Sequence, residues 1–337
     1  MKKIFRYLGC VTIASISYTT LFAQNNNLYH VAKTFKVDGD GKWDYIAQSP
    51  VTGDIYIAHG TVVNIIDKNT GAAKGTITNT DGVHGIGFAP KYGKGFTTNG
   101  KLNNVTVFDI KTNKVLAQVK TGESPDAIIY DAFSKKMIVC DGHSKSITVI
   151  NPADNKVTAT ISVDGKPETA VSDDAGKIYV NLEDKNEISV IDAKTFKVVA
   201  HWPLGKGEGP TGLAIDKKNK RLFAGCDKML VIINMENGSL VDYQPIGDGC
   251  DGVAFDAGLQ QIYASNGEGT LTIIKENNAN DFKVLENTPT VKGARTLVVD
   301  DATHQIYLPV ANRQPASGEG KKADLVPGTF RVLVVGN

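Results

Sequence analysis

The chain is poor in the residues that usually announce a chemistry. Its four cysteines, at 10, 140, 226 and 250, form no Cys-x-x-Cys pair, and its six histidines form no His-x-x-x-His pair. A local zinc spacing is therefore absent. No Gly-x-Ser-x-Gly elbow occurs, and no serine can be paired with a histidine from the sequence. Gly205, Gly207 and Gly209 lie between two strand patterns with no helix following, so they read as a loop and not as a dinucleotide fingerprint. Charge of one sign is also lacking: 37 Lys and Arg face 36 Asp and Glu. That balance carries no basic footprint for nucleic acid. Long apolar runs are missing, and beyond residue 23 no stretch sustains helical spacing.

The one apolar stretch, Val11 to Phe22, follows Lys2, Lys3 and Arg6 and ends at Ala23 before Gln24. A basic start, a short apolar segment and a small residue make a secretory leader over residues 1–23. The stretch is too short for a bilayer anchor. Cys10 precedes the apolar segment instead of following it, which argues against a lipid attachment site. Removing the leader takes away three cations and no acid, moving the formal charge from +1 to −2. The expected product is an exported chain over 24–337, periplasmic or secreted, with no membrane span. It is expected to be a monomer.

What the chain has in abundance is repetition. Starts at Trp43, Val83, Pro125, Pro167, Pro210, Cys250 and Ala294 are spaced by 40, 42, 42, 43, 40 and 44 residues. In the second repeat, Ile86-Gly87-Phe88, Gly95-Phe96-Thr97-Thr98, Val105-Thr106-Val107-Phe108 and Lys114 to Val119 read as four short strands. Asp, Asn, Gly and Pro sit between them, where tight bends need them. Four strands at this period predict an all-β, seven-bladed β-propeller of four-stranded antiparallel blades. The aromatic that recurs in the second strands, as in Ile55-Tyr56-Ile57, Ile178-Tyr179-Val180 and Ile306-Tyr307-Leu308, reads as packing between blades. The seventh repeat ends on Phe330 to Val335, a third strand with nothing after it. The segment 28–42, with its strand in Leu28 to Val37, is predicted to supply the missing outer strand and close a single domain over 24–337, removing an open sheet edge.

Three stretches carry a resemblance to a known family. Tyr263-Ala264-Ser265-Asn266, Phe96-Thr97-Thr98-Asn99 and the closing Pro327-Gly328-Thr329-Phe330-Arg331-Val332 are similar to the YVTN-type β-propeller repeat, a WD40-like unit. The whole mature chain resembles the YncE-like exported propeller proteins. The resemblance implies the propeller fold and a periplasmic or secreted location, and for some members an association with DNA. The charge of this chain opposes carrying the last point over.

Function has to come from the mouth of the central channel, where loops and strand starts gather. The second residue of each repeat gives Asp44, His84, Asp126, Glu168, Thr211, Asp251 and Arg295, of which six are ionisable. One reading is that they cap strand ends and keep the channel polar. The other is a ligand site, with Arg295 as the only permanent cation among four carboxylates and suited to clamp an anion. Carboxylates crowded together raise one another's pKa values unless a cation compensates, so a divalent cation or a cationic ligand also fits. The ends of the second strands add His59, Asn99, Asp141, Cys226 and Asn266, with Asn181 one position earlier; as turn formers they need no ligand, as a second ring they extend the site. Metal candidates are His59, His84, Asp141, His143 and Cys226. Cys226 and Cys250 stand at one face of adjacent blades, and a disulfide between them is open, while Cys140 reads as a small buried residue.

The leading expectation is a binding protein with a polar ligand site at the mouth, its partner a small polar molecule or a protein. A hydrolase or lyase of lactonase-like kind, with His84, Glu168 and Arg295 at its centre, is the alternative. A docking platform with no small ligand is a third. The longer insertion Asn312 to Gly328 springs from the same face and is a candidate lid.

Overall fold

A computed structural model describes Met1, residues 28–314 and residues 323–337. Residues 2–27 and 315–322 lie outside the described residues, so the expected signal peptide, Met1 apart, and 8 of the 17 residues of the candidate lid belong to what is not described. No helix among the described residues is long and apolar enough to cross a membrane.

Among the described residues twenty-eight strands form seven separate sheets of four, each antiparallel and ordered along the chain except in the last. The inner strands begin at Trp43, Val83, Pro125, Pro167, Leu213, Cys250 and Val298. Each inner strand packs beside those of its neighbours, and the seventh touches the first, which closes the ring. We number the blades 1 to 7 in that order. The expected β-propeller is the observed fold. Closure also follows the expected route: His30–Lys36 pairs with Arg331–Gly336, from His30 opposite Gly336 to Lys36 opposite Arg331. Phe35 of this strand lies over Gly71 in a turn of blade 1, where a Cβ would fall 2.5 Å from the ring. Gly71 also has φ +72°, so both space and backbone require glycine there.

Local chemistry sets the turns. Asp109 and Asp192 end third strands and Asp67 follows one, and each carboxylate accepts the amides two and three residues on and the hydroxyl of the following Thr70, Thr112 or Thr195. Such Asx turns offer the chain a ready way out of the strand. The recurring tyrosines do what was expected of them. Tyr56, Tyr179 and Tyr307 are at most 2% exposed, and each hydroxyl donates into the next blade, to Asn113 Oδ1, the Met235 carbonyl and the Lys68 carbonyl. Tyr56 also stacks on Phe108 of blade 2. Fully burying such a side chain is worth roughly 2–3 kcal/mol, so the repeated aromatic is the wedge that binds blade to blade.

Candidate functional site

The inner strands do not pair regularly at their starts. Register shifts fall between Trp43 and Ile46, Val83 and Ile86, Pro125 and Ile128, Pro167 and Ala170, and Cys250 and Gly252. A bulge at these points breaks the alternation of side chains and re-aims one of them. The residues inside the five irregularities include Asp44, His84, Asp126, Glu168 and Asp251. Their main chain is held from outside as well. Thr98 donates to the Asp126 carbonyl, Ser265 to the Arg295 carbonyl at 2.5 Å, and Thr296 to the Asp44 carbonyl at 2.7 Å. Each bond comes from the preceding blade, so the positions are fixed across blade boundaries.

The structure joins five of the seven second-position residues through ion pairs and sets a sixth, Glu168, in the field of their carboxylates. His84 Nδ1 lies 2.5 Å from Asp44 Oδ2 and 3.9 Å from Asp126 Oδ1. Arg295 donates through Nε to Asp251 Oδ2, and its Nη2 is 3.5 Å from Asp44 Oδ1. Glu168 pairs with Lys166 Nζ at 2.5 Å, and the same ammonium bonds Glu183. Thr211 stands apart, its hydroxyl donating to the Cys250 carbonyl at 2.7 Å.

Burial sets the electrostatics. Asp126 is pushed up to about 7, first by desolvation and then by the Asp44 carboxylate. Glu168 is pushed up to about 8 by desolvation and by Asp126, against the pull of Lys166. Desolvation pulls the His84 imidazolium down, but its hydrogen bond to Asp44 and the surrounding carboxylates outweigh this and raise it. Asp251 is raised by burial despite Arg295.

Two members of the site escaped the reading of the sequence. Lys166 is a second permanent cation, which corrects the expectation that Arg295 stands alone. Its place two residues before Glu168, on the approach to the inner strand, was the available signal. Tyr45 is the other. From blade 1 it packs against the core shared by blades 3 and 4, and its hydroxyl lies 3.2 Å from Thr169 Oγ1. A side chain reaching from blade 1 to blade 4 spans the channel beside the charged residues. Its phenol is pushed well up, by burial and by Asp126, Asp44, Glu168 and Asp251.

The second ring does not join the first. Asn99 donates to Asn104 Oδ1 and Thr106 Oγ1, and Asn266 to Thr270 and Thr272 Oγ1. Asp141 accepts from Ser146 and Thr148. These three side chains are buried and bond within their own blades, although Asp141 Oδ1 and Asn266 Oδ1 find no partner. Asn181, one position earlier, bonds the Thr211 and Gly212 carbonyls of the next blade, as Thr98 and Ser265 do for theirs.

The metal candidates are scattered in the same way. His59 stacks on Phe330 with its Nδ1 on Asn64, His143 is exposed, and Cys226 is buried. Of the five, His84 alone lies in a group of three donors, and that group is Asp44, His84 and Asp126. Cys140, Cys226 and Cys250 are buried free thiols, so the Cys226–Cys250 bond is not formed.

The base of the insertion sits beside the site. Arg313 bridges to Leu325, its guanidinium lies 5.7 Å over the Trp43 ring, and Arg295 Nη2 is 3.4 Å from the Trp43 carbonyl. Six exposed large apolar side chains, Val115, Leu116, Val157, Val199, Leu240 and Leu285, lie instead on outer strands, while Leu102 is exposed in the loop between the second and third strands of blade 2.

No protein-family model matches the chain, and no curated protein matches it. Solved structures do. A Kuenenia stuttgartiensis hydrazine synthase structure is similar with a TM-score of 0.71 at 16% identity, over 88% of this chain and 98% of that one. The WD40 repeats of RRP9 give 0.77 at 10% identity, over 92% and 99%. The structure of U3-55K gives 0.76 at 9%, over 90% and 99%. At these identities the likeness is one of fold: a seven-bladed β-propeller with WD40-like neighbours.

Proposed function

We propose that the chain is a binding protein whose small polar ligand enters the channel mouth and meets Asp44, His84, Asp126, Glu168, Asp251 and Arg295. The observation that supports this reading is the convergence of residues from six blades, up to 251 positions apart, on one charged cluster in which burial holds two carboxyls near neutrality. Charge at such cost is concentrated where recognition needs it. Tyr45 spans the channel beside these residues and narrows the space a ligand can enter. The hydrolase or lyase alternative is less well supported. His84 bonds Asp44, Glu168 is held by Lys166, and no serine or cysteine among the described residues stands in hydrogen-bond reach of His84 as a nucleophile.

The proposal extends to the setting. We place the chain among YncE-like YVTN propellers, exported and monomeric, on the strength of its repeat motifs and of the basic-apolar-small order of residues 1–23. Mass spectrometry of the exported product should give a start at or near Gln24; a retained Met1 removes the export reading. For the site, thermal-shift measurements with small carboxylates, phosphates and amines should show stabilisation by at least one class. The shift should be lost in Arg295→Ala if that class is anionic. No shift in any class would overturn the small-ligand reading and leave docking of a protein.

A further inference from the structure

Matching the charges of the ring to their partners leaves one carboxylate over. Arg295 takes Asp251 and reaches Asp44, His84 takes Asp44, and Lys166 takes Glu168 and Glu183. Asp126 has no cation of its own. Its Oδ1 is shut off from solvent and finds no hydrogen-bond partner, with His84 Nδ1 still 3.9 Å away. A buried acceptor left in that condition is unfavourable until a partner reaches it.

We propose that Asp44, His84 and Asp126 bind one divalent transition-metal ion of zinc-like preference at the channel mouth. The inference names the ligand for the binding reading and rests on it. One donor atom from each of the three residues lies within 4.8 Å of the others. Ligands about 2.0–2.2 Å from a common ion are separated by up to roughly 4.4 Å, so small side-chain adjustments complete the shell. An imidazole nitrogen with two carboxylate oxygens suits zinc and its neighbours over calcium or magnesium, which prefer oxygen alone. The imidazole is also oriented for the role. His84 Nε2 packs on Gly100, where a Cβ would fall 2.8 Å away, and Nδ1 faces the two carboxylates. Three successive blades each supply one donor from the same bulged place, which is how a propeller makes a site from residues about 40 apart in sequence. Three protein ligands leave a fourth position open toward the channel mouth. Arg295, bonded to Asp44, stands at its edge and suits a ligand that gives the metal an anionic oxygen.

The test is calorimetric titration of the metal-free mature protein with Zn2+, paired with the visible absorption of the Co2+ form. One equivalent should bind. Asp126→Asn and His84→Ala should each weaken it more than about tenfold, and His84→Ala should alter the Co2+ d–d bands by removing the nitrogen ligand. Gly100→Ala, which displaces the ring and keeps every ligand, should weaken binding less. His143→Ala should change nothing. Circular dichroism reports whether each variant is folded, and Asp126→Asn preserves shape if His84→Ala does not fold. No saturable Zn2+ binding, or binding that survives both Asp126→Asn and His84→Ala, overturns the proposal. A protein that binds no Zn2+ but keeps an Arg295-dependent shift with small anions loses the metal and retains the binding site. Loss of both responses removes both.

Discussion

The two ends of the inner strands solve the same problem of buried charge in opposite ways. At their far ends stand Asp131, Asp216, Asp256 and Asp300, each at most 3% exposed. In every one, one carboxylate oxygen accepts an amide two or three residues ahead, closing a turn. The other oxygen faces the next blade: Asp131 meets Ser172 at 2.5 Å, Asp256 meets His304 at 2.6 Å, and Asp300 meets Lys68 at 2.6 Å. Three of the four acids thus have a partner of their own across the blade boundary, and Asp216, whose Oδ2 faces another acid, is the exception. At the starts of the strands the partners are shared among carboxylates, and Asp126 is left without one. Satisfied pairs hold blades together; the open set at the strand starts is the one to which the binding proposal assigns a ligand.

The largest effect should come from breaking a far-end clasp. Asp256→Ala strands the amides of Gly258 and Leu259 and frees His304, at a cost of about 3 kcal/mol in urea unfolding. A loss no larger than that of a ring variant would erase the distinction between the two ends. A nearly equal effect, of opposite sign, is expected at the one clasp built from two acids. Asp216 Oδ2 and Glu276 Oε2 are both buried and unpartnered, and Glu276 is pushed up from 4.5 to about 7 by desolvation and by Asp216. The folded protein therefore keeps this proton between pH 4.5 and 7 while the unfolded chain has lost it. Its stabilising contribution is complete below pH 4.5 and falls as pH rises through 7, by about 3 kcal/mol in all. Glu276→Gln, whose amide can donate to Asp216, should flatten stability over that window and exceed the parent at pH 8. An unchanged pH slope in the variant refutes the assignment.

Ring variants should cost less. Arg295→Ala leaves Asp251 and Asp44 without their cation, but the guanidinium is 31% exposed and water replaces part of it. A loss of about 1 kcal/mol is expected, far below the effect on any anionic ligand. A loss as large as that of Asp256→Ala would make Arg295 a clasp. Smallest of all, Asp126→Asn in the metal-free protein should stay within about 0.5 kcal/mol of the parent by thermal unfolding, because it breaks no satisfied pair. A larger loss would mean that Asp126 has a structural partner after all.

The repeat period, the turn residues and the closing strand were legible because each blade writes the same local chemistry again, and a seven-fold repeat averages out its spelling changes. The ring was legible as a coordinate: the second residue of the repeat lands in the bulge in five blades. It failed at Thr211, where the inner strand starts only at Leu213 and the hydroxyl turns to the Cys250 carbonyl. Asn99 and Asn266 were read one residue out of phase. In a strand neighbouring side chains face opposite ways, so Thr98 and Ser265 reach the next blade while the asparagines after them turn into their own. Lys166 and Tyr45 were hidden for another reason. Their roles depend on the reach of a long side chain across a boundary that only the closed ring creates.

The closing strand carries a consequence for timing. His30 and Gly336 are partners at roughly 300 residues' separation, and joining them costs about 5 kcal/mol in chain entropy, to be met before their pairing returns anything. A ribosome delivers the C-terminal partner last. Until then the first blades exist with one raw edge, and the seventh cannot form from neighbouring segments. Assembly of this ring is thus a late event, with slow folding and a window of vulnerability to intermolecular strand pairing that lasts until the final strand is made.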